Sequence, residues 1–407
     1  MSTDSLSEFG RTTLPFCSFV SAATGTPHVG VGIGTQVLDI SEHAPTVLPT
    51  TVLLSDGELF VDGSLDALLA AGPAVWAAVR EGLLAADLTV VPLLDAADLT
   101  YVPPYRVGDY VDFYASEQHA TNVGQILRPS PDGVSLPAAW KHLPIGYHGR
   151  SGTVVVSGTP VVRPRGQQRS VDGDVTTGPS TRLDLEAEIG FVVGKGSVMG
   201  DSIGVGQFAD HVFGVCVVND WSARDLQAFE YVPLGPFLGK SFATSVSPWI
   251  VPLAALQEAR VAGPPRTVVV QDYLDDTGDP WGLDLWLEVR VNGELISSPP
   301  FAGMYWTGAQ MLAHMTVNGA SVRPGDLFAS GTVSGSGMAE QGSLIELSRD
   351  GQTPLSMADG TTRSYLLDGD RVTISAWAST AAGPRAWLGA VEGTITPHPA
   401  DGSLPAL

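Results

Sequence analysis

Cysteine is nearly absent from this chain of 407 residues, with Cys17 and Cys216 the only two. Two thiols are too few for a disulfide framework or a thiolate zinc site, and both read as small buried apolar groups. Long hydrophobic runs are also missing. The most apolar region, residues 74–94, is interrupted by Arg80, Glu81 and Asp87, so it cannot span a bilayer. The N-terminal residues Met1 to Glu8 lack the basic start and apolar stretch of a secretory signal, which predicts a cytoplasmic protein without membrane contact. Positive charge is scarce: 21 Lys and Arg against 43 Asp and Glu leave a formal net charge of −22. Such a surface repels phosphate backbones and excludes nucleic acid as a partner, so an anionic substrate would need a local basic pocket.

What is present argues for a compact globular protein. Hydrophobic residues make up 44% of the chain against 16% charged, and the length suits one large domain plus a smaller one, or two comparable ones. With 47 Gly and 30 Pro spread along it, the chain reads as many short strands joined by turns, an α+β, β-rich fold. Residues 1–60 read as short β-like pieces. The spacing of Gly30, Gly32 and Gly34 fails the G-x-G-x-x-G test for a nucleotide loop, because the third glycine comes too early and strand-like residues follow. A helix is predicted over residues 73–86, with Pro73 at an early helical position. Pro103-Pro104 marks a boundary. Residues 159–179 read as a surface excursion, and residues 183–193, 285–296, 344–347 and 371–377 as strands.

Three segments gather the groups that could do chemistry. The first places Asp112, Tyr114 and His119 within a few residues, with Ser116 a candidate N-cap that puts His119 in the first helical turn. In the second, Glu186 and Glu188 lie two apart on a strand, so both carboxylates leave the same face. That pattern fits a cation site or a solvated strand face equally well. Asp184, next on that face, is assigned to solvent or a turn, and the strand is expected to be half-buried. The third puts Asp220 at a strand-to-helix junction, where it serves either as a ligand or as a turn former. Ser222-Ala223-Arg224-Asp225 has the S-x-x-D form of a capping box, and Arg224, Gln227 and Tyr231 share the face of the helix that follows. Asp112, Glu186, Glu188 and Asp220 offer only oxygen, which suits magnesium, calcium or manganese and not zinc. Lys240 or Arg224 would offset the excess negative charge of that set or hold a substrate carboxylate.

At this point the chain resembles the fumarylacetoacetate hydrolase family over residues 16–399. The resemblance is carried, in the family's order, by D-F-Y-A-S-E-Q-H-A-T-N-V-G, L-P-I-G-Y-H-G-R, L-E-A-E, N-D-W-S-A-R-D-L-Q, E-Y-V-P-L-G-P-F-L-G-K-S-F and G-D-L-F-A-S-G-T-V-S-G. It implies an N-terminal SH3-like barrel over residues 1–105 and a C-terminal catalytic domain of mixed β-roll type over residues 106–407, assembled as a homodimer. It also implies hydrolysis of a diketo-diacid, 4-fumarylacetoacetate, to fumarate and acetoacetate at the end of tyrosine and phenylalanine catabolism. The implied ligands of a divalent cation, magnesium or calcium, are Asp112, Glu186, Glu188 and Asp220, and no organic cofactor is called for. His119 becomes the general base with Glu346 orienting it. Arg224, Gln227 and Lys240 become the oxyanion clamp, and Tyr114, Arg128, Tyr147, Gln227, Tyr231 and Thr332 the substrate contacts. Lys240 and Thr244 border a second, structural cation. Ala243 stands where the family commonly has glycine, a departure that bears on that second site.

Two other readings compete. An enzyme of the same superfamily acting on acylpyruvates, or decarboxylating a small oxo acid, would lack the N-terminal region and the segment around His119. A metal-stabilised binding protein would lack His119 or Glu346. The chain keeps all of these.

Overall fold

A computed structural model describes residues 8–55, 59–127, 136–170, 172–380 and 386–399. The N-terminal region forms a five-stranded antiparallel sheet in the spatial order Leu94–Asp95, Gln36–Asp39, Pro27–Ile33, Phe16–Val20, Thr100–Val102. Close packing accounts for the alternating glycines. A Cβ at Gly30 would sit 2.5 Å from Val37 Cγ1, and one at Gly32 2.6 Å from the Phe9 ring.

Residues 1–60 are less uniformly β than their composition suggests. The third strand runs straight into the helix Ile40–Val47, because the Asp39 carboxylate accepts the backbone N–H of Glu42 and caps it. Thr50–Ser55 and Asp66–Ala71 are also helical. Pro73–Ala85 is a helix with proline in its first turn, as predicted. The Pro103-Pro104 pair lies between the last strand of this sheet and the strand Tyr110–Phe113.

The rest of the chain is built on a mixed eight-stranded sheet. Its central strands, Leu327–Ala329, Ala187–Val193 and Val212–Asp220, are flanked by Tyr110–Phe113 on one side and Thr244–Val246 on the other. A five-stranded sheet containing Leu285–Val291, Arg371–Ala378 and Ala386–Thr396 shares a core with one face of it, through residues such as Ile189, Phe191 and Val217. The other face meets the N-terminal region: Val192, Cys216, Val218 and Leu327 pack with Phe16, Val29, Val31 and Leu38. Phe16 and Ile250 exchange backbone hydrogen bonds of 2.9 and 2.8 Å across this contact.

The segment expected to be a half-buried strand is therefore covered on both sides. All seven residues of Ala187–Val193 are buried, and the strand Leu183–Asp184 is a separate piece pairing with Ser222–Ala223. Residues 344–347 form one helical turn and not a strand. The four-residue apolar pattern could not decide between the two periods. The excursion at 159–179 contains the strand Val161–Val162, which joins the five-stranded sheet, and a hairpin of Arg165–Arg169 with Val175–Pro179. Among the described residues no helix is long and apolar enough to cross a membrane.

Candidate active site

By strand alternation Asp112 shares the face of Tyr110, Glu188 that of Gly190 and Val192, and Asp220 that of Cys216 and Val218. This is the face that the N-terminal region covers further along the sheet. Where that cover stops, the apolar residues give way to acids. One oxygen from each of Asp112, Glu186, Glu188 and Asp220 lies within 4.8 Å of all the others, and all four residues are buried.

Four buried carboxylates without a cation would repel one another. Burial, followed by repulsion from neighbouring acids, pushes Asp112 and Glu188 well above the usual carboxylate range, and burial raises Asp220 against the pull of Lys240. Glu186 behaves oppositely. Burial would raise it, but Lys240 and Arg224 outweigh that and hold it at about 2. Both oxygens of Glu188 and Oδ1 of Asp112 are buried with no hydrogen-bond partner. Orphaned acceptors on converging acids are what an oxygen-liganded divalent cation would satisfy, so the donor set fits one.

Two cations of the protein edge this cluster. Lys240 Nζ donates to Glu186 and lies 2.7 Å from Asp220 Oδ2. Burial would lower its pKa, but Asp220 and Glu186 raise it above the ordinary value, so the ammonium stays charged and has no lone pair for a metal. Arg224 places Nη2 2.7 Å from Glu186 Oε1 and Nε 2.8 Å from Asp184 Oδ2, while Nη1 donates to Gln227 Oε1 at 3.1 Å. That last bond fixes the Gln227 amide with its NH2 group free to donate.

The imidazole of His119 stands on the helix Glu117–Leu127, whose start Ser116 secures by accepting the His119 backbone N–H at 3.2 Å. Its Nδ1 lies 2.7 Å from Glu346 Oε2. Glu346 also receives Asn122 Nδ2 at 2.9 Å, Ser343 Oγ at 2.7 Å and Ser334 Oγ at 3.0 Å. Burial would raise this carboxyl, but His119 and these donors take it below its ordinary value. Beside an ionised Glu346 the proton belongs on Nδ1, so a neutral His119 carries its lone pair on Nε2.

A cavity of about 380 Å³ unites these groups. Asp112, Glu186, His119, Arg224, Gln227 and Lys240 line it together with Tyr114, Tyr147, Tyr231 and Thr332. Thr332 Oγ1 is buried without a partner, an arrangement suited to a ligand atom. Tyr147 also donates to Asp220 Oδ2 at 3.4 Å. Val123, Leu127, Ile145 and Leu234 give the cavity an apolar wall. Thr244 lies apart, lining a neighbouring cavity of about 530 Å³, and donates to Asp220 Oδ1 at 2.7 Å. Arg128 falls outside the described residues, as does the stretch 129–134 that follows it.

Two local expectations fail. Ser222 and Asp225 form no capping box: the Ser222 hydroxyl donates to Asp220 O, and Asp225 accepts from Ser180 and Thr181. Asp184, assigned to solvent or a turn, is fully buried. Its partners are Arg224 and the backbone of residues 185, 344 and 345. Of the residues that hold Glu346, Asn122, Ser334 and Ser343 were missed, although Asn122 follows His119 at an i+3 spacing that puts both on one helix face.

An ionised acid behind an imidazole, facing a guanidinium, an amide, an ammonium and a carboxylate cluster, defines a hydrolase-type site with a place for a divalent cation. Family models agree with this class: residues 12–94 match the fumarylacetoacetase N-terminal model and residues 110–396 the fumarylacetoacetate hydrolase C-terminal model. The chain is 40% identical to human fumarylacetoacetase over 412 aligned positions, covering 96% of this chain and 97% of the relative. Against fumarylacetoacetase of Arabidopsis thaliana the identity is again 40%, covering 97% of each. The fold is shared with the fumarylacetoacetate hydrolase of Exiguobacterium antarcticum, with a TM-score of 0.56 at 20% identity covering 95% of this chain and 100% of that one. It is also shared with maleylpyruvate hydrolase of Sphingobium sp. SYK-6, with a TM-score of 0.53 at 15% identity covering 94% and 99%. The chain belongs to the fumarylacetoacetate hydrolase family.

Proposed function

We infer that this chain hydrolyses 4-fumarylacetoacetate to fumarate and acetoacetate, the closing step of tyrosine and phenylalanine breakdown. Near full-length identity to fumarylacetoacetases of animals and a plant supports the substrate. The observation that carries the chemistry is the His119–Glu346 pair, whose imidazole lines one cavity with Asp112 and Glu186 of the four-carboxylate cluster.

Cleavage of a β-diketone needs a base for water, a clamp for the oxyanion and a sink for the departing enolate. His119 Nε2 takes a proton from water as its oxygen bonds to the carbonyl carbon next to the alkene. The negative charge that develops on the carbonyl oxygen meets Arg224, the free NH2 of Gln227 and Lys240. When the tetrahedral centre collapses, the carbon–carbon bond breaks, one fragment leaves as fumarate, and the proton on His119 returns to the acetoacetate enolate carbon. Asp112, Glu186, Glu188 and Asp220 would hold a divalent cation, magnesium or calcium in this reading, which when bound would supply Lewis acidity to the site.

Tyr114, Tyr147, Tyr231, Gln227 and Thr332 position the chain of the substrate, and Arg128 pairs with one of its carboxylates. Lys240 and Thr244 border a second, structural cation next to Ala243. The same reading makes the N-terminal sheet an SH3-like barrel over residues 1–105 ahead of a catalytic domain over 106–407, and the enzyme a cytoplasmic homodimer. Purified protein supplied with Mg2+ or Ca2+ should bleach the diketone absorbance and release fumarate and acetoacetate in equal amounts. A flat trace from folded, metal-loaded protein would refute the assignment.

A further inference from the structure

Asp184 lies outside both the cavity lining and the four-carboxylate group, yet it is fully buried and fully bonded. Its Oδ1 accepts the backbone N–H of Leu344 at 2.7 Å and of Leu185 at 2.8 Å. Its Oδ2 accepts Arg224 Nε at 2.8 Å and the backbone N–H of Ile345 at 3.1 Å. Leu344 and Ile345 immediately precede Glu346, the acid that holds His119. A single carboxylate is thus bonded both to the guanidinium that faces the cavity and to the turn that aims the partner of the imidazole.

Ordinary fold maintenance does not require this combination. The neighbouring strand pair Leu183–Asp184 with Ser222–Ala223 is already joined through its backbone, and the turn at 344–347 has its own bond from Leu347 N to Ser343 O. What Asp184 adds is a fixed distance between two chemical groups on different elements. Arg224, which lines the cavity, has its Nε committed to Asp184 and Nη2 set against Glu186, which leaves Nη1, bonded to Gln227, as the end not tied to a carboxylate.

We propose that Asp184 is a positioning residue that holds the Arg224 guanidinium in register with the His119–Glu346 pair, so that clamp and base converge on one substrate carbonyl. The proposal rests on the reading of Arg224 as clamp and His119 as base. A neutral isostere cannot do the same job. Asparagine has one acceptor oxygen, and its NH2 would confront Arg224 Nε–H or a backbone N–H, so either the guanidinium or the turn must move. A displacement of about 1 Å at such a site costs on the order of 100-fold in rate.

The test is a double-mutant cycle with Asp184→Asn, Arg224→Lys and the pair, each measured as metal-loaded full-length enzyme. Asp184→Asn should lower kcat on the order of 100-fold with KM nearly unchanged. In the Arg224→Lys background the second change should add little, because the connection is already cut. Losses that multiply, or a fall in activity that only follows the unfolded fraction, would overturn the proposal while leaving the clamp reading intact. Full kcat in Arg224→Lys alone would sink the clamp reading and the proposal with it. A second measurement needs no Asp184 variant: the downfield proton resonance of His119 Nδ1 should shift in Arg224→Lys, and an unmoved resonance counts against the linkage.

Discussion

Glu188 and Glu346 make an instructive pair. Both are buried and both belong to the same site, yet the surroundings drive them in opposite directions. Glu346 collects donors from His119, Asn122, Ser334 and Ser343 and sits below its ordinary pKa. Glu188 collects none, faces Asp112 and Asp220, and sits far above it. The protein completes the solvation of one carboxylate internally and leaves the other without a donor, as a cation ligand would be. Burial alone does not distinguish a structural acid from a ligand; the count of donors around it does.

The sharpest way to break this comparison is Glu346→Gln. An amide cannot hold the His119 tautomer, so kcat should fall on the order of 1,000-fold, with stability reduced whether or not metal is present. Steady-state rates beside thermal melts would check both parts, and a near-normal kcat would remove Glu346 from the machinery. Glu188→Gln should behave in the opposite sense. Because it removes a buried like charge, it should raise the melting temperature of chelator-treated protein by a few degrees and abolish the rise that Mg2+ or Ca2+ produces in the parent. Melts with and without the ions decide it, and a variant still stabilised by them would show that Glu188 is no ligand.

A pH series extends the contrast. Asp112, Glu188 and Asp220 have raised folded pKa values, so the stability they give the metal-free protein is complete below about pH 4 and drains away as pH climbs through those values. Chelation should therefore destabilise more at about pH 8 than at about pH 5, and an effect independent of pH would contradict the shared cause. The smallest effect belongs to Asn122→Ala, which removes one of the donors to Glu346 and should cost about 1 kcal/mol, or a several-fold loss in kcat. A rate indistinguishable from the parent would show that the remaining donors suffice.

Much of the site was legible because its residues break local rules. Acids placed two apart in an apolar setting, and an imidazole directly after a strand with an acid in it, are costly unless they meet a partner. The helix Pro73–Ala85 was readable from its proline and its period. Asp184 was not, because D-x-E-x-E looks the same whether its face meets water or protein, and the groups that enclose Asp184, Arg224 and the turn at 344–345, come from distant segments. The turn at 344–347 was too short for its pattern to show a period. Helix Ile40–Val47 was hidden because it begins inside a strand-like run, where the Asp39 cap outweighs the β-branched neighbours. The partners of Glu346 come from segments more than 200 residues apart, a convergence that no local pattern encodes.

The contact through which Phe16, Val29 and Val31 cover Val192, Cys216 and Val218 has a practical corollary. A fragment beginning near residue 106 would carry every acid and base of the cavity, but it would expose a broad oily back to solvent. Such a fragment should clump on expression and recover solubility only when the missing front piece is supplied alongside it.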